Sequence, residues 1–342
     1  MATEHYVIIG NGPAGNHAAA TLRQKDSDAR ITILSDECLP YYYKPRLTGF
    51  IADELSQDKL IVKPASYYEE NNIRVRLGQT VERIDVDAQL IYLKHMETIH
   101  YTRLIIASGS RERVLPVMED FAEHLKFITS YSDVMEEKEA IRDATDFFVF
   151  GGDFVGFQFI RMLKSMDKAV TVLVYPHAFW PYNLTEEMMA NIRKSLLKLD
   201  VTVLVKDDID TIEQEARNYR ITTGKGFEIT VDRIFSFNGL IPNIDFARGT
   251  GIDTDYGILV DEYLKTNVDQ IYACGSCAQI YNPEIKSYSA SIGWPNAVAQ
   301  GETAALNLLG EKQGVASAGR KYFDMEGVKI KTTWWEDIQE ES

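Results

Sequence analysis

Twice along this chain a short apolar run rich in β-branched or aromatic residues breaks at a glycine-rich turn, resumes as an amphipathic helix pattern, and returns to a second apolar run. The first copy is Tyr6-Val7-Ile8-Ile9, Gly10-Asn11-Gly12-Pro13-Ala14-Gly15, a helix to about Lys25, then Ile31-Thr32-Ile33-Leu34. The second is Phe147-Phe148-Val149-Phe150, Gly151-Gly152-Asp153-Phe154-Val155-Gly156, a helix to about Asp167, then Val170-Thr171-Val172-Leu173-Val174. Parallel strands need a crossover helix between them, so each copy reads as the opening βαβ unit of a doubly wound α/β fold. A fold copied within one chain implies two ligand sites.

Each copy is followed by a predicted antiparallel meander: Val81–Asp87, Gln89–Lys94 and Thr98–Tyr101 in the first, Thr211–Thr222 and Phe227–Val231 in the second. Arg103–Ala107 and Arg233–Phe237 then return as buried strands. Later strands are expected at Ile258–Val260 and Gln270–Ala273, and a long helix over Ile292–Leu309 stopped by Gly310. The expected fold class is therefore α/β, with two Rossmann-like, three-layer domains, the second inserted in the first. Residues 1–112 plus 244–312 form the first domain, 113–243 the second, and 313–342 a C-terminal extension. In that extension Val328–Thr332 and Trp334-Trp335 are candidates for a strand laid on the body, and Glu336–Ser342 reads as a frayed acidic tail.

The 342 residues are 45% hydrophobic, enough for full cores, and the net charge is −15. That charge argues against nucleic acid or an anionic membrane as partner, because phosphate binding needs clustered Lys and Arg. No stretch reaches about 18 uninterrupted apolar residues, and Cys38, Cys274 and Cys277 are too few for a secreted disulfide framework. A soluble cytoplasmic protein is expected.

Gly10–Gly15 fits G-x-G-x-x-G directly after a strand and at the start of a helix. Gly10 permits the tight turn, Gly12 lets the backbone approach a pyrophosphate, Gly15 allows close helix–strand packing, and the helix N-terminus attracts phosphate charge. Pro13 and Ala14 complete this binding loop. About twenty residues on, Asp36 and Glu37 follow the second strand, and either is placed to accept a ribose hydroxyl.

The first loop occurs together with Leu39-Pro40-Tyr41-Tyr42-Tyr43-Lys44-Pro45-Arg46-Leu47-Thr48, Ile106-Ala107-Ser108-Gly109-Ser110-Arg111, Gly239-Leu240-Ile241-Pro242-Asn243 and Ile271-Tyr272-Ala273-Cys274-Gly275-Ser276. In this combination, over about residues 5–310, the chain resembles the two-dinucleotide-domain flavoprotein reductases of the pyridine nucleotide-disulfide oxidoreductase superfamily. Within it, the chain is most similar to NADH:rubredoxin reductases and the flavin portion of NADH-nitrite reductases. The resemblance implies FAD on Gly10–Gly15, with Lys44 and Pro45 beside the isoalloxazine ring and Val81 near the adenine. It further implies Ala107, Ser108, Gly109 and Arg111 along the cofactor, and the helix start around Trp294–Ala297 facing the flavin pyrimidine, where a helix dipole suits the negative charge of reduced flavin. Beside Gly275, Ser276 replaces the usual Asp, which keeps one acceptor without the charge. The family's C-terminal dimerisation domain is not expected here, and a more open flavin face follows.

The second loop departs from the pattern. Gly151, Gly152, Phe154, Val155 and Gly156 suit a second dinucleotide site, yet Asp153 occupies the middle glycine position. A carboxylate about 4 Å from a phosphate, at an effective dielectric near 20, costs roughly 4 kcal/mol before relaxation. Micromolar affinity totals only about 8 kcal/mol. Val174-Tyr175-Pro176-His177 supplies neither the acid for NAD nor the arginine for NADP, and Gln158 replaces a usual Glu near the nicotinamide. Use of NAD(H) or NADP(H) is therefore expected to be reduced or changed. The competing expectation is that Asp153 faces solvent and the nucleotide binds. His177, Phe179 and Trp180 fall where an adenine would stack.

Cys274-Gly275-Ser276-Cys277 is formally C-x-x-C, but it coincides with the flavin segment and has no second pair, so a packing role is expected. The six histidines show no ligand spacing and no metal is expected; no residue is assigned as catalytic, because flavin chemistry belongs to the cofactor. The function expected is an FAD-dependent oxidoreductase passing electrons between NAD(P)H or a reduced protein carrier and an iron-sulfur or rubredoxin-like partner. The alternative is a flavin-binding electron-transfer subunit of a larger complex whose NAD site is non-functional or repurposed.

Overall fold

The computed structural model describes residues 4–175, 178, 185–291, 293–315, 322–325 and 328–331. β1 (His5–Ile9) is buried along its whole length, as a strand with parallel neighbours and both faces covered must be. It turns through Gly10 into α1 (Pro13–Lys25), which has Pro at its start and Arg23 and Lys25 in its last turn, where cations suit the helix dipole. β2 (Arg30–Leu34) then pairs with β1 in parallel, His5 opposite Arg30 and Ile9 opposite Leu34. An excursion carrying α2 (Leu47–Ile51) and α3 (Ala65–Glu70) leads to β3 (Ile73–Arg76). The meander β4 (Val81–Asp85), β5 (Leu90–Leu93) and β6 (Thr98–His100) follows, then β7 (Arg103–Ile106) and the linking strand β8 (Ser110–Glu112).

The pattern repeats. α4 (Tyr131–Asp143) starts with a capping box in which Ser130 Oγ accepts from the Asp133 amide at 3.1 Å and the Asp133 carboxylate accepts from the Ser130 amide at 2.8 Å. β9 (Asp146–Gly151), α5 (Phe154–Ser165), β10 (Ala169–Val174), α6 (Glu186–Lys198) and β11 (Thr202–Val205) come next. The run Thr211–Thr222 resolves into a hairpin of β12 (Ile209–Glu215) and β13 (Asn218–Thr223), with Ala216 at φ 56° in its turn. β14 (Glu228–Val231) completes the second meander, and β15 (Arg233–Phe237) and the link β16 (Leu240–Pro242) close the unit.

β17 (Ile258–Val260), β18 (Ile271–Ala273), β19 (Ala278–Asn282), β20 (Ser287–Ala290) and α7 (Trp294–Leu308) return the chain to the first unit. α7 begins two residues later than expected, because Gly293 sits at φ 107° and Pro295 fits only the first turn; Gly310, at φ 101°, follows its end. Beyond it, β21 (Tyr322–Met325) and β22 (Val328–Lys331) pair antiparallel, while Trp334, Trp335 and the acidic tail lie outside the described residues.

The first sheet runs β18-β7-β1-β2-β3 and the second β11-β10-β9-β15, both parallel throughout. Period-two alternation builds the layers of the second unit. Phe147 and Val149 of β9 face the helix side with Phe157 and Ile160, whereas Phe148 and Phe150 face the meander with Ile212 and Ile221. The molecule is thus two Rossmann-like, three-layer units, the strands of the second falling between those of the first. β8 and β16 pair antiparallel where the chain crosses between units, Ser110 opposite Pro242. The excursion after β2 does not stay with its own sheet: Tyr42, Leu47, Phe50, Ile51 and Leu60 are buried with Tyr131, Val134 and Phe159 of the second unit. At about 1.5–3 kcal/mol for each large apolar side chain buried, that contact fixes the segment carrying Lys44.

Candidate functional site

The first glycine loop is shaped by contacts that exclude any side chain. A Cβ on Gly10 would lie 2.0 Å from the Ala107 carbonyl oxygen, one on Gly15 would lie 2.0 Å from that of Gly10, and one on Gly301 in α7 would lie 2.1 Å from that of Ala14. Gly12 differs: nothing stands within 4 Å of where its Cβ would be. It is the N-cap of α1, with no side chain to satisfy the first-turn amides. An open cradle of unpaired amides at a helix start is what a pyrophosphate requires, and FAD fits the residues present. Behind the loop, Asn16 is buried and donates to the Asn11 carbonyl oxygen at 2.8 Å while accepting from the Tyr68 hydroxyl at 2.8 Å. Asn16, Tyr68 and Gly301 were not anticipated from sequence; a small residue in mid-helix was the one available signal for Gly301.

The two acids after β2 separate. Glu37 accepts from the Tyr42 hydroxyl at 2.6 Å and pairs with the Lys44 ammonium at 2.6 Å. Asp36 stays exposed, though surrounding protein first and the Glu37 carboxylate second hold its carboxyl above the usual range. Lys44 also donates to the Thr129 carbonyl oxygen at 3.0 Å, tying the loop to the start of α4, and Pro45 beside it is exposed. The three tyrosines take different places. Tyr41 is buried and stacks on Trp294 at 5.3 Å between centroids, Tyr42 is buried in the inter-unit core, and half-buried Tyr43 meets Trp294 edge-on at 4.6 Å.

Ala107 follows β7 and donates its amide to the Ile9 carbonyl oxygen at 2.7 Å, while the Ser108 hydroxyl donates to that of Asn243 at 2.7 Å. Gly109 adopts φ 72°, and its nearest would-be Cβ neighbour is Ser276 Oγ at 4.0 Å. Gly275 packs on Ala14 and donates its amide to Gln300 Oε1 at 2.8 Å; Ser276 hydrogen-bonds to Ser110 Oγ at 3.3 Å. Ala297 and Trp294 pack on the first core, as does Val81 from β4. Arg111, on the crossing strand, is paired with Asp245 at 3.0 Å. The loop, residues 107–109, 275–276 and the start of α7 therefore converge on one locus in the first unit.

The second loop keeps the same backbone with opposite content. Gly151 takes φ 104°, and a Cβ there would lie 2.2 Å from the Phe237 carbonyl oxygen; one on Gly156 would lie 2.6 Å from Phe237 Cβ. Asp153 does not face solvent: it is 5% exposed, and its Oδ1 accepts from the amides of Val155 and Gly156, each at 2.9 Å, and its Oδ2 from that of Gly239 at 2.9 Å. Burial pushes this carboxyl up, with the three amides pulling the other way. Phe154 and Val155 are half-buried, and Gly152 takes φ 86°. Tyr175, after β10, packs its ring 5.7 Å from Phe150; Pro176, His177, Phe179 and Trp180 lie outside the described residues. Gln158 lines a cleft of about 360 Å³ between α2 and α5, with Thr48, Glu54 and Arg161.

Cys274 and Cys277 are fully buried thiols, both pushed up by burial, and Cys277 donates to the Cys274 carbonyl oxygen at 3.2 Å. Among the described residues no group of His, Cys, Asp or Glu is arranged to hold a metal, and no helix is long and apolar enough to cross a membrane.

The family model described as pyridine nucleotide-disulphide oxidoreductase matches residues 4–301. The chain is 31% identical over 318 residues to an NADH-rubredoxin oxidoreductase of Clostridium acetobutylicum, covering 91% of this chain and 76% of that protein. It is 29% identical over 306 residues to a rhodocoxin reductase of Rhodococcus erythropolis, covering 89% and 72%. A ferredoxin reductase from Rhodopseudomonas palustris shares the fold with a TM-score of 0.83 at 22% identity, covering 92% of this chain and 78% of that one.

Proposed function

This chain belongs to the pyridine nucleotide-disulphide oxidoreductase family and is an FAD-dependent oxidoreductase; on that premise we propose that it passes electrons to or from a small iron-sulfur or rubredoxin-like protein. The observation that carries the reading is the open amide cradle at Gly12, set between a buried parallel strand and α1. FAD, when bound, accepts electrons as a pair and can release them singly, which suits exchange with a one-electron carrier.

The residues have distinct tasks in this reading. The amides of Gly12, Ala14 and Gly15 hold the pyrophosphate, while Gly10, whose amide already donates to the Leu34 carbonyl oxygen, makes the turn and Pro13 opens the helix; exposed Asp36, rather than the occupied Glu37, takes the ribose. Lys44, held by Glu37, places a cation beside the ring, with Pro45 next to it. Ala107, Ser108, Gly109, Arg111, Gly275 and Ser276 line the cofactor, Val81 flanks the adenine, and Trp294 and Ala297 set the helix start against the pyrimidine. The Tyr41–Trp294 stack keeps water from that edge. The FAD unit is 1–112 plus 244–312, the second unit 113–243 and the extension 313–342. A cytoplasmic location and a relative-like small redox partner follow from the same reading.

The test is direct transfer. The purified protein, reduced anaerobically with dithionite and freed of excess, is mixed with oxidised rubredoxin or a plant-type ferredoxin. Stoichiometric reoxidation of the flavin band with bleaching of the carrier is expected; a reduced flavin that neither carrier reoxidises contradicts the reading.

A further inference from the structure

The two glycine loops are internal controls for each other. Gly12 (φ −77°, ψ −169°) and Asp153 (φ −65°, ψ −168°) are N-caps of the equivalent helices α1 and α5, with nearly the same backbone. The following strands match as well, since Ala107 closes over Gly10 as Phe237 closes over Gly151. At Gly12 the space a side chain would fill is empty, and at Asp153 it holds a buried carboxylate.

We propose that the Asp153 carboxyl is a built-in acceptor that occupies the phosphate cradle of the second unit, excluding pyridine dinucleotides and leaving that unit as a fixed platform. The proposal rests on the flavin reading above and specifies which donors that flavin does not take directly. Its basis is the direction of the carboxylate. An Asp at this position that pointed outward would only repel a phosphate, and a modest rotation would relieve it. Here the amides of Val155 and Gly156, which correspond to Ala14 and Gly15 and are the donors an incoming pyrophosphate would need, are already satisfied, and the Gly239 amide holds the other carboxyl oxygen in place. A dinucleotide would have to break these bonds and expose a carboxylate to its own phosphates. Gly239 immediately precedes the return link β16, so the same side chain also ties α5 to the crossing between units.

The experiment is calorimetric titration of the FAD-loaded protein with NADH, NADPH and ADP-ribose; the last carries the pyrophosphate but no reducing power, so its binding is read apart from any turnover. The wild-type protein is expected to show no saturation below millimolar ligand, and Asp153→Gly to bind ADP-ribose at least tenfold more tightly. Asp153→Asn keeps the shape but turns an amide donor toward Gly239, and an intermediate gain is expected. Micromolar binding of any of the three ligands by the wild type overturns the proposal, whether or not the glycine variant folds. So does an unchanged affinity in a folded Asp153→Gly, or in Asp153→Asn should the glycine variant prove unstable. Failure of the flavin reading itself shows separately, as absence of bound FAD before any titration.

Discussion

Asp153 and Gly12 stand at the same place in two copies of one motif, their ψ angles within a degree of each other, yet one carboxylate is buried against three amides and the other position is empty. The strand–turn–helix geometry therefore survives where the ligand chemistry has been replaced. The glycines that remain, Gly151 and Gly156, are those whose Cβ would strike Phe237, so they are held by packing and not by a ligand.

Transplanting the carboxylate tests this symmetry. Gly12→Asp is expected to cap α1 through the amides of Ala14 and Gly15, leave the melting temperature of the flavin-free protein unchanged or higher, and weaken FAD retention at least about a hundredfold, or roughly 2.7 kcal/mol. The flavin-to-protein absorbance ratio after dialysis reads the outcome; a fully flavinated variant would show that the cradle does not hold the pyrophosphate.

Gly10 is a packing glycine as well as a loop glycine. Gly10→Ala places a methyl 2.0 Å from the Ala107 carbonyl oxygen at φ 111°, and a destabilisation of about 3 kcal/mol or more is expected. Gly314→Ala, with nothing within 4 Å, should change stability by no more than about 0.5 kcal/mol. Urea denaturation of both variants compares the two positions.

His5 gives the acid limb of stability. It is buried and hydrogen-bonded to Thr32 Oγ1 at 2.9 Å, and burial first, then the Arg30 guanidinium, bring it down from 6.5 to about 4. A histidine lowered in the folded state contributes stability that is complete above pH 6.5 and is lost as pH falls through about 4, because the unfolded chain takes up the proton first. The contribution is at most about 3 kcal/mol. His5→Gln should flatten the pH dependence of unfolding free energy across this window; an unchanged slope would assign the acid limb to other groups.

The cysteines divide by access. Cys38 is exposed while Cys274 and Cys277 are buried, with thiols pushed up. Ellman's reagent should label one thiol in the native protein and three after denaturation. Rapid native labelling of all three would reopen a redox role for the C-x-x-C.

The parallel sheets and both meanders were legible in sequence, because glycine turns and period-two runs are local signals; that residues 107–109 and 275–276 belong with the first loop came from the family resemblance, not from any local pattern. What was not legible depends on contacts distant in sequence. Burial of residues 42–60 in the second unit has no local mark, since Tyr42, Leu47 and Phe50 suit either core. That the Tyr42 hydroxyl and the Lys44 ammonium engage Glu37 and not Asp36 depends on the path of the loop, nearby in sequence but without a local mark. The direction of Asp153 required Gly239, brought beside it only when β15 enters the sheet. The later start of α7 was readable in principle from the Gly293–Pro295 spacing.

The measurement that bears most directly on the whole account is the visible spectrum of the purified chain, with the cofactor released by heat and identified by chromatography. One FAD per chain is predicted, restored after removal by adding FAD. A colourless protein that stays colourless with excess FAD contradicts it.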